Sequence, residues 1–321
     1  MFKFNKKKLF ILIMMLSTIM MMNSTKWLSL WLTMEINLMA TTPFIFEKMS
    51  KESSEKIMIY FLTQTMASIL LLSTILIEMN MNMFNMFMTM SMMIKLGMPP
   101  FHMWMPEMLN KLKWDIMLVM ITIQKINPLI VISQLMEKNL LFPMIMIFAS
   151  SVGSISGINQ LSLNKIMAFS SINHMSWIML CMMCKNNLWM SYFLIYSLIT
   201  LTMCLIFNKK MTFYMNQLNI NLNTTMKIMM LLMMLNLGGM PPLPGFFLKW
   251  MTLESSMNTQ TYFIIIVMLV SSMITLLFYM RTMYNNMMLS SMNIKYKIMY
   301  NNMYMYMLFM INMSLPVIMN K

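Results

Sequence analysis

Apolar stretches of about twenty residues follow one another along most of this 321-residue chain, and they constrain its fold more than any other feature. A helix of that length crosses the hydrocarbon core of a bilayer, where backbone amides and carbonyls must be hydrogen-bonded within the protein. Charged residues make up only 10% of the chain, against roughly 25% in soluble domains. No polar–apolar alternation of the kind found in barrel strands is present. The sequence therefore predicts an all-α polytopic membrane protein.

The apolar stretches divide into eleven predicted transmembrane spans. Their approximate boundaries are residues 8–22, 26–46, 57–78, 83–105, 114–135, 140–160, 166–184, 188–207, 226–250, 260–280 and 299–318. With alternating crossings, sixteen of the 23 lysine and arginine residues fall in loops on the side of the N-terminus. Four fall on the opposite side and three lie inside spans, with lysines in the first two positions of a span counted in the adjoining loop. Basic loop residues stay on the side where the chain is made, so this bias supports the span assignment.

Amino-acid usage points to an organelle. The chain has 59 Met but a single arginine, Arg281, and residues with AT-rich codons are favoured throughout. Methionine at this level suggests a genetic code in which ATA also specifies Met, as in animal mitochondria. Most of these methionines are interpreted as lipid-facing or core side chains, because Met is apolar and flexible. We therefore expect the inner mitochondrial membrane, with the N-terminus in the matrix and the C-terminus in the intermembrane space. The net charge of +14 comes from basic residues dispersed between spans, which argues against a nucleic-acid partner.

The tetrapeptide Gly-Met-Pro-Pro occurs twice inside predicted spans, at residues 97–100 and 239–242. Glycine and proline interrupt helices, and the interrupting residues here are Gly97, Pro99, Pro100, Gly239, Pro241 and Pro242. Paired interruptions of this kind are typical of the broken helices of transporters. Because five crossings separate the two copies, the broken helices are expected to run antiparallel. The prediction is a single transmembrane domain with an inverted five-helix repeat, its halves at approximately 8–135 and 140–280, followed by a C-terminal helix at 299–318.

Apart from charged residues in the first two positions or the last position of a span, those inside predicted spans are Glu35, Lys95, Lys125 and Lys249. A lysine at the bilayer centre costs roughly 2.5–3.5 kcal/mol on insertion scales, so these side chains must face protein or water. Lys95 and Lys249 could instead extend from the end of a span to the interface. Lys125 lies near the middle of its span, where that alternative fails. A buried row of one glutamate and three lysines predicts a proton relay, controlled by making or breaking a Glu–Lys pair.

The two histidines, His102 and His174, are either members of the proton path or satisfied polar groups of the bundle. The rarity of ionisable residues within membranes favours the first interpretation. Two histidines in separate spans cannot ligate a pair of haems, and neither a Cys₄ cluster nor a nucleotide-binding glycine motif is present. Cys181 and Cys184 have CxxC spacing but lie at the end of an apolar span, which favours packing over redox chemistry. We expect no cofactor and no metal in this chain.

Residues 95–107 and 238–250, which contain the two tetrapeptides, resemble the two signatures of subunit 2 of mitochondrial NADH–ubiquinone oxidoreductase, respiratory complex I. Shorter segments at 31–43, 124–128 and 170–177 are also similar to that family. The resemblance spans most of the chain, and it implies an antiporter-like proton-pumping subunit with eleven spans and an inverted five-helix repeat.

The resemblance also implies roles for the four intramembrane charges. Glu35 and Lys95 would form the Glu–Lys pair, Lys125 would be the lysine of the central axis, and Lys249 would serve the second half-channel. This chain has Ser176 where the family usually has glycine, and it has more prolines after Gly239.

The function expected from the resemblance is that of a core membrane-arm subunit of complex I, which moves protons and has no redox centre. The chain would be part of an enzyme, with NADH, FMN, iron–sulfur clusters and ubiquinone bound by other subunits. Its partners would be neighbouring antiporter-like subunits and membrane lipids, with cardiolipin as a candidate, and no nucleic acid. Two alternatives stay open: a stand-alone cation/proton antiporter, and a structural membrane subunit whose buried lysines pair only locally.

Overall fold

In a computed structural model the described part of the chain is almost entirely helical. That part comprises residues 2–46, 51–77, 81–110, 112–135, 141–184, 188–219, 224–257 and 262–288. The helices are α1 (Phe2–Asn23), α2 (Trp27–Ile45), α3 (Lys51–Leu76), α4 (Met81–Leu96), α5 (Trp104–Leu109), α6 (Trp114–Ile121), α7 (Ile123–Leu135), α8 (Leu141–Ile158), α9 (Leu163–Met183), α10 (Leu188–Lys210), α11 (Thr224–Gly238), α12 (Pro244–Met257) and α13 (Tyr262–Met288), with a short 3₁₀ helix at Met215–Asn219. Within these ranges no strand forms, and Ser162 and Tyr214 make an isolated bridge. The prediction of an all-α protein is confirmed.

The predicted spans can be compared with these helices one by one. The first ten each overlap a described helix or a pair of consecutive helices. The eleventh, at 299–318, lies outside the described residues, so the total of eleven stays a prediction. Among the described helices, those long and apolar enough to cross a membrane are Ser54–Leu76, Trp114–Leu135, Leu163–Met183, Leu188–Lys210 and Tyr262–Tyr284.

Helix α3 shows how the side chains are distributed. It exposes Met58, Leu62 and Met66 while it buries the amide of Gln64. A soluble protein would bury the apolar face and leave the polar one in water. Large apolar side chains on the outside and polar groups on the inside are what a helix bundle in lipid requires. The chain is therefore a multi-pass membrane protein.

Both Gly-Met-Pro-Pro segments lie between two helices. The first separates α4 from α5, and the second separates α11 from α12. Gly97 has φ +66° and Gly239 has φ +79°, in the left-handed region that L side chains rarely adopt. Glycine is thus required where each helix stops, and the prolines that follow prevent it from resuming.

A third interruption, which the pattern of apolar residues did not predict, lies between α6 and α7 at Thr122. The backbone N–H of Lys125 donates to the carbonyl of Thr122 at 3.1 Å, three residues back instead of four. The predicted span at 114–135 therefore changes its helical winding shortly before Lys125, and this lysine lies in the first turn of α7.

The chain divides into two compact units. The first consists of Met1–Leu112 and Val119–Ile145, and the second of Lys113–Leu118 and Met146–Lys321. In the first unit α1 packs on α2, α2 on α3, α3 on α4, and α4 on α7. In the second unit α9 contacts α10, α12 and α13, and it is almost completely buried. The division into inverted half-repeats at 8–135 and 140–280 stays a prediction.

The start of α12 is held tightly against the end of α11. The backbone N–H of Gly245 donates to Oδ1 of Asn236 at 2.7 Å, so the asparagine side chain caps α12. A Cβ atom added at Gly245 would lie 1.8 Å from the backbone oxygen of Asn236, which leaves no room for a side chain. At Gly238 the nearest atom to an added Cβ is 3.5 Å away, an ordinary contact.

We predict that Gly245→Ala destabilises the protein by about 1–3 kcal/mol or more, because a methyl group would force α12 away from its cap. The measurement is thermal denaturation of the protein in native membranes or detergent. Gly238→Ala is the matched control and should denature close to wild type. Equal stability of the two variants would contradict the tight approach of the two helices.

Candidate functional site

Glu35 on α2 and Lys95 at the end of α4 lie close enough for their charges to interact. The ammonium group of Lys95 contacts the sulfur of Met34 at 3.3 Å, next to Glu35 in the chain. Oε1 of Glu35 is enclosed, and within the described ranges it accepts no hydrogen bond. The structure thus brings the two residues together without a direct hydrogen bond at that oxygen.

The end of α4, which carries Lys95, is stabilised by side chains from two other helices. Gln64 on α3 donates its amide to the backbone carbonyl of Lys95 at 3.3 Å. Trp104 on α5 donates its indole N–H to the carbonyl of Ile94 at 3.1 Å. These carbonyls lie where the helix stops, so they lack the usual amide donor four residues further on. The carbonyl of Ile94 also accepts from the backbone N–H of Gly97 at 3.2 Å. The two side-chain bonds fix the backbone position of Lys95.

Lys125 is 3% exposed, and in the part of the chain that the structure describes its ammonium group has no hydrogen-bond partner. It borders a cavity of about 20 Å³ that Lys95 also borders. A volume of this order accommodates one water molecule where polar groups surround it. Tyr60 and Gln124 supply such groups. Lys95 and Lys125 therefore border one small cavity that also has polar groups in its lining.

A second cavity of about 20 Å³ is bordered by some of the same polar groups. The residues that border both cavities are Tyr60, Gln64, Lys95 and Gln124. Asn37 and Asn127 line only the second. Both polar side-chain atoms of Asn127 are without a hydrogen-bond partner among the described residues, as expected of groups that face a hydrated space.

Neutral polar side chains from three helices are hydrogen-bonded to one another, and two of them border both cavities. Thr41 on α2 donates to the hydroxyl oxygen of Tyr60 on α3 at 3.1 Å. Tyr60 donates to Oε1 of Gln124 on α7 at 3.4 Å. Gln124 donates through Nε2 to Oδ1 of Asn37 at 3.2 Å, and Asn37 lies on α2 like Thr41. We call Thr41, Tyr60, Gln124 and Asn37 the neutral network.

Lys249 on α12 belongs to the second unit and is 6% exposed. Its ammonium group donates to the carbonyl of Gly238, the last residue of α11, at 2.8 Å. It also lies 5.8 Å from the ring centroid of Trp177, within cation–π range. An added Cβ at Gly239 would lie 3.0 Å from the ammonium nitrogen, so the glycine gives the lysine room to cross the break.

The histidines have different surroundings. His174 is buried on α9, and its Nδ1 is hydrogen-bonded to the hydroxyl of Tyr192 at 3.0 Å. His102 lies in the first break, and in the described ranges its buried Nδ1 has no hydrogen-bond partner. Neither histidine lines the two cavities beside Lys95. Their membership of a proton path stays a prediction.

The neutral network was missed by the sequence analysis, which considered only charged groups and histidines inside the spans. A signal was present, since glutamine is costly in an apolar span and Gln124 directly precedes Lys125. In the described part of the chain, no three His, Cys, Asp or Glu side chains are grouped so that they could hold a metal ion.

A family model described as NADH:quinone oxidoreductase/Mrp antiporter, transmembrane, matches residues 73–275. The chain is 37% identical to the NADH-ubiquinone oxidoreductase chain 2 of Anopheles gambiae over 294 residues, which cover 88% of this chain and 86% of the relative. It is 35% identical to the protein of the same name from Ovis aries over 286 residues, covering 84% and 82%.

Two solved structures share the fold. A chain of respiratory complex I from Thermus thermophilus superimposes with a TM-score of 0.85 at 16% identity, covering 98% of this chain and 78% of that chain. A chain of the Mrp complex from Dietzia sp. superimposes with a TM-score of 0.74 at 13% identity, covering 86% and 59%.

We predict that Trp104→Phe lowers the stability of the protein by about 0.5–1.5 kcal/mol. It removes one of the two donors to the carbonyl of Ile94 and retains an aromatic ring, while the backbone N–H of Gly97 stays at 3.2 Å from that carbonyl. Thermal denaturation measures the effect. Trp250→Phe is the control, since Trp250 is 57% exposed. If both variants denatured like the wild type, the indole would not contribute to closing the end of α4.

Proposed function

The chain belongs to the NADH-ubiquinone oxidoreductase chain 2 family, and from that premise we propose that it translocates protons in the membrane arm of the complex. The proposed relay consists of Glu35, Lys95, Lys125 and Lys249. The observation that carries this proposal is the cavity bordered by both Lys95 and Lys125, whose volume of about 20 Å³ suits one water molecule.

The first part of the path runs from Glu35 to Lys125. The negative charge of Glu35 holds a positive charge on Lys95, because opposite charges attract strongly away from water. When the pair separates, Lys95 passes a proton through the cavity to Lys125. One N–H bond breaks at Lys95, one forms at Lys125, and a water between them exchanges one O–H bond for another.

Lys249 continues the path in the second unit. Its contacts with Gly238 and Trp177 offset part of the cost of burying a positive charge, since a helix C-terminus and an aromatic face both attract cations. In this proposal the two interrupted helices, α4–α5 and α11–α12, are the equivalent elements of an inverted repeat. The N-terminus lies in the matrix and the C-terminus in the intermembrane space of an eleven-span protein.

The chain performs no redox step in this proposal. NADH oxidation and ubiquinone reduction occur in other subunits of the complex in the inner mitochondrial membrane, and they supply the energy for proton movement. Neighbouring antiporter-like subunits are its protein partners. The apolar side chains exposed on α3 face either those neighbours or lipid, including anionic lipids such as cardiolipin.

A stand-alone cation/proton antiporter is the second candidate, because the description of the family model that matches residues 73–275 also names Mrp antiporters. The two functions predict different assemblies. A subunit of the oxidoreductase migrates on a native gel in a very large band that stains for NADH dehydrogenase activity. A stand-alone antiporter is stable and active when it is purified alone.

We predict that Lys125→Met preserves assembly but reduces the protons pumped per electron by about two-fold or more, because methionine fills the space and cannot carry a proton. The measurement is proton uptake by coupled membrane vesicles during NADH oxidation. Lys26→Met, at an exposed position, is the control and should pump normally. Unchanged pumping by Lys125→Met would favour a purely structural role for the buried lysine.

We also predict that Glu35→Gln reduces proton pumping in the same assay, because glutamine retains the size of the side chain but removes the charge that holds the proton on Lys95. The amount of assembled complex should stay at the wild-type level. Full pumping by Glu35→Gln would contradict the hypothesis that the Glu–Lys pair controls the path, although a path through the lysines alone would still be consistent with that result.

A further inference from the structure

The lysines alone do not explain how the path resets after each transfer. A water that has accepted a hydrogen from Lys95 and donated one to Lys125 is left in the reversed orientation. It has to rotate before the next proton can pass, and a neighbour with fixed hydrogen-bond polarity opposes that rotation. A group that can both donate and accept is therefore needed beside the cavity.

Tyr60 has this property. Its hydroxyl oxygen lies 3.4 Å from Oε1 of Gln124 and 3.1 Å from Oγ1 of Thr41, so its hydrogen has an acceptor on either side. The hydroxyl of Thr41 can accept from Tyr60 instead of donating to it, because its own hydrogen can then bond the carbonyl of Leu38 at 2.9 Å. Two arrangements of the same heavy atoms are thus available. They differ in hydrogen position only.

The position of Tyr60 makes this freedom useful. Tyr60 borders both cavities, together with Lys95 and Gln124. Its side chain is 3% exposed, so no bulk water competes for the hydroxyl. Nε2 of Gln124 is occupied by Asn37 at 3.2 Å, which keeps Oε1 of the same amide directed at Tyr60. With the hydrogen of Tyr60 on Thr41, Oε1 of Gln124 and a lone pair of Tyr60 become available to a cavity water.

We propose that the hydroxyl group of Tyr60, turning between Thr41 and Gln124, orients the water between Lys95 and Lys125 and so resets the path after each proton transfer. Tyr60 is a positioning residue in this scheme. It neither gains nor loses a proton over the cycle, and only the direction of its O–H bond changes. The inference rests on the proposed function and assigns to neutral side chains a task that the charged residues cannot perform.

The test is the ratio of protons pumped to electrons transferred in coupled vesicles that contain the assembled complex. Tyr60→Phe removes the hydroxyl but keeps the ring, which lies 6.1 Å from that of Trp104 between centroids. We expect the ratio to fall by roughly two-fold or more, as for the loss of a positioned proton-transfer group. A purely structural role would lower the amount of complex, and the proton and electron fluxes equally, without changing the ratio.

Thr41→Val is the second variant. It leaves Tyr60 with one acceptor in place of two, so the hydroxyl cannot turn and the ratio should also fall. Tyr262→Phe is a matched control at a position that is 56% exposed. Thr65→Val is a control on α3, where the hydroxyl of Thr65 donates to the carbonyl of Leu62 in the same helix. Both controls should pump with the wild-type ratio.

An unchanged ratio in assembled Tyr60→Phe overturns the proposal. If that variant fails to assemble, Thr41→Val decides, and an unchanged ratio there overturns the proposal as well. If neither Tyr60→Phe nor Thr41→Val assembles, the two hydroxyl groups serve packing, and the proposal is overturned as well. The proposed function is tested separately by Lys125→Met. If that variant pumps with the wild-type ratio, the lysine path itself is wrong. If the ratio falls in Lys125→Met but is unchanged in Tyr60→Phe, only the role of the Tyr60 hydroxyl is wrong.

Discussion

The constraint on which the rest of the structure depends is the hydrogen bonding of backbone carbonyls at helix ends that lie within a membrane. Away from water, each unpaired carbonyl costs several kcal/mol on transfer scales. The end of α4 obtains donors from Gln64 and Trp104, and the end of α11 obtains one from Lys249. An interrupted helix is thus stable only where neighbouring helices supply polar groups, and those groups bring polarity into the apolar bundle.

The polar groups beside the first break also line the two cavities, which are both bordered by α3, α4 and α7. Gln64 holds the backbone of Lys95 and also borders both cavities, so one side chain serves the helix end and the polar space. Tyr60 and Gln124 then connect the cavities through neutral groups. Neutral groups suit this position, because another charge would either repel the lysines or hold a proton too firmly to release it.

Some of this architecture follows directly from the residues. Gly-Met-Pro-Pro in an apolar stretch predicts a helix interruption, because glycine and proline act on the backbone itself. Lys95 and Lys125 are predicted as candidate site residues, because charged residues are rare in apolar spans. The neutral network could not be predicted in the same way. Tyr60 and Gln124 are 64 positions apart, and their contact depends on how three helices pack. The turn at Thr122 has no glycine or proline at the interruption, so its winding follows from packing instead.

Lys249 closes α11 with the same nitrogen atom that would carry the proton. An ammonium group donates a stronger hydrogen bond than a neutral amine, and it is also attracted to the negative end of the helix dipole. Loss of the proton weakens both attractions at once and loosens the terminus of α11. A change in the charge of Lys249 would therefore also change how firmly the C-terminal end of α11 is held in place.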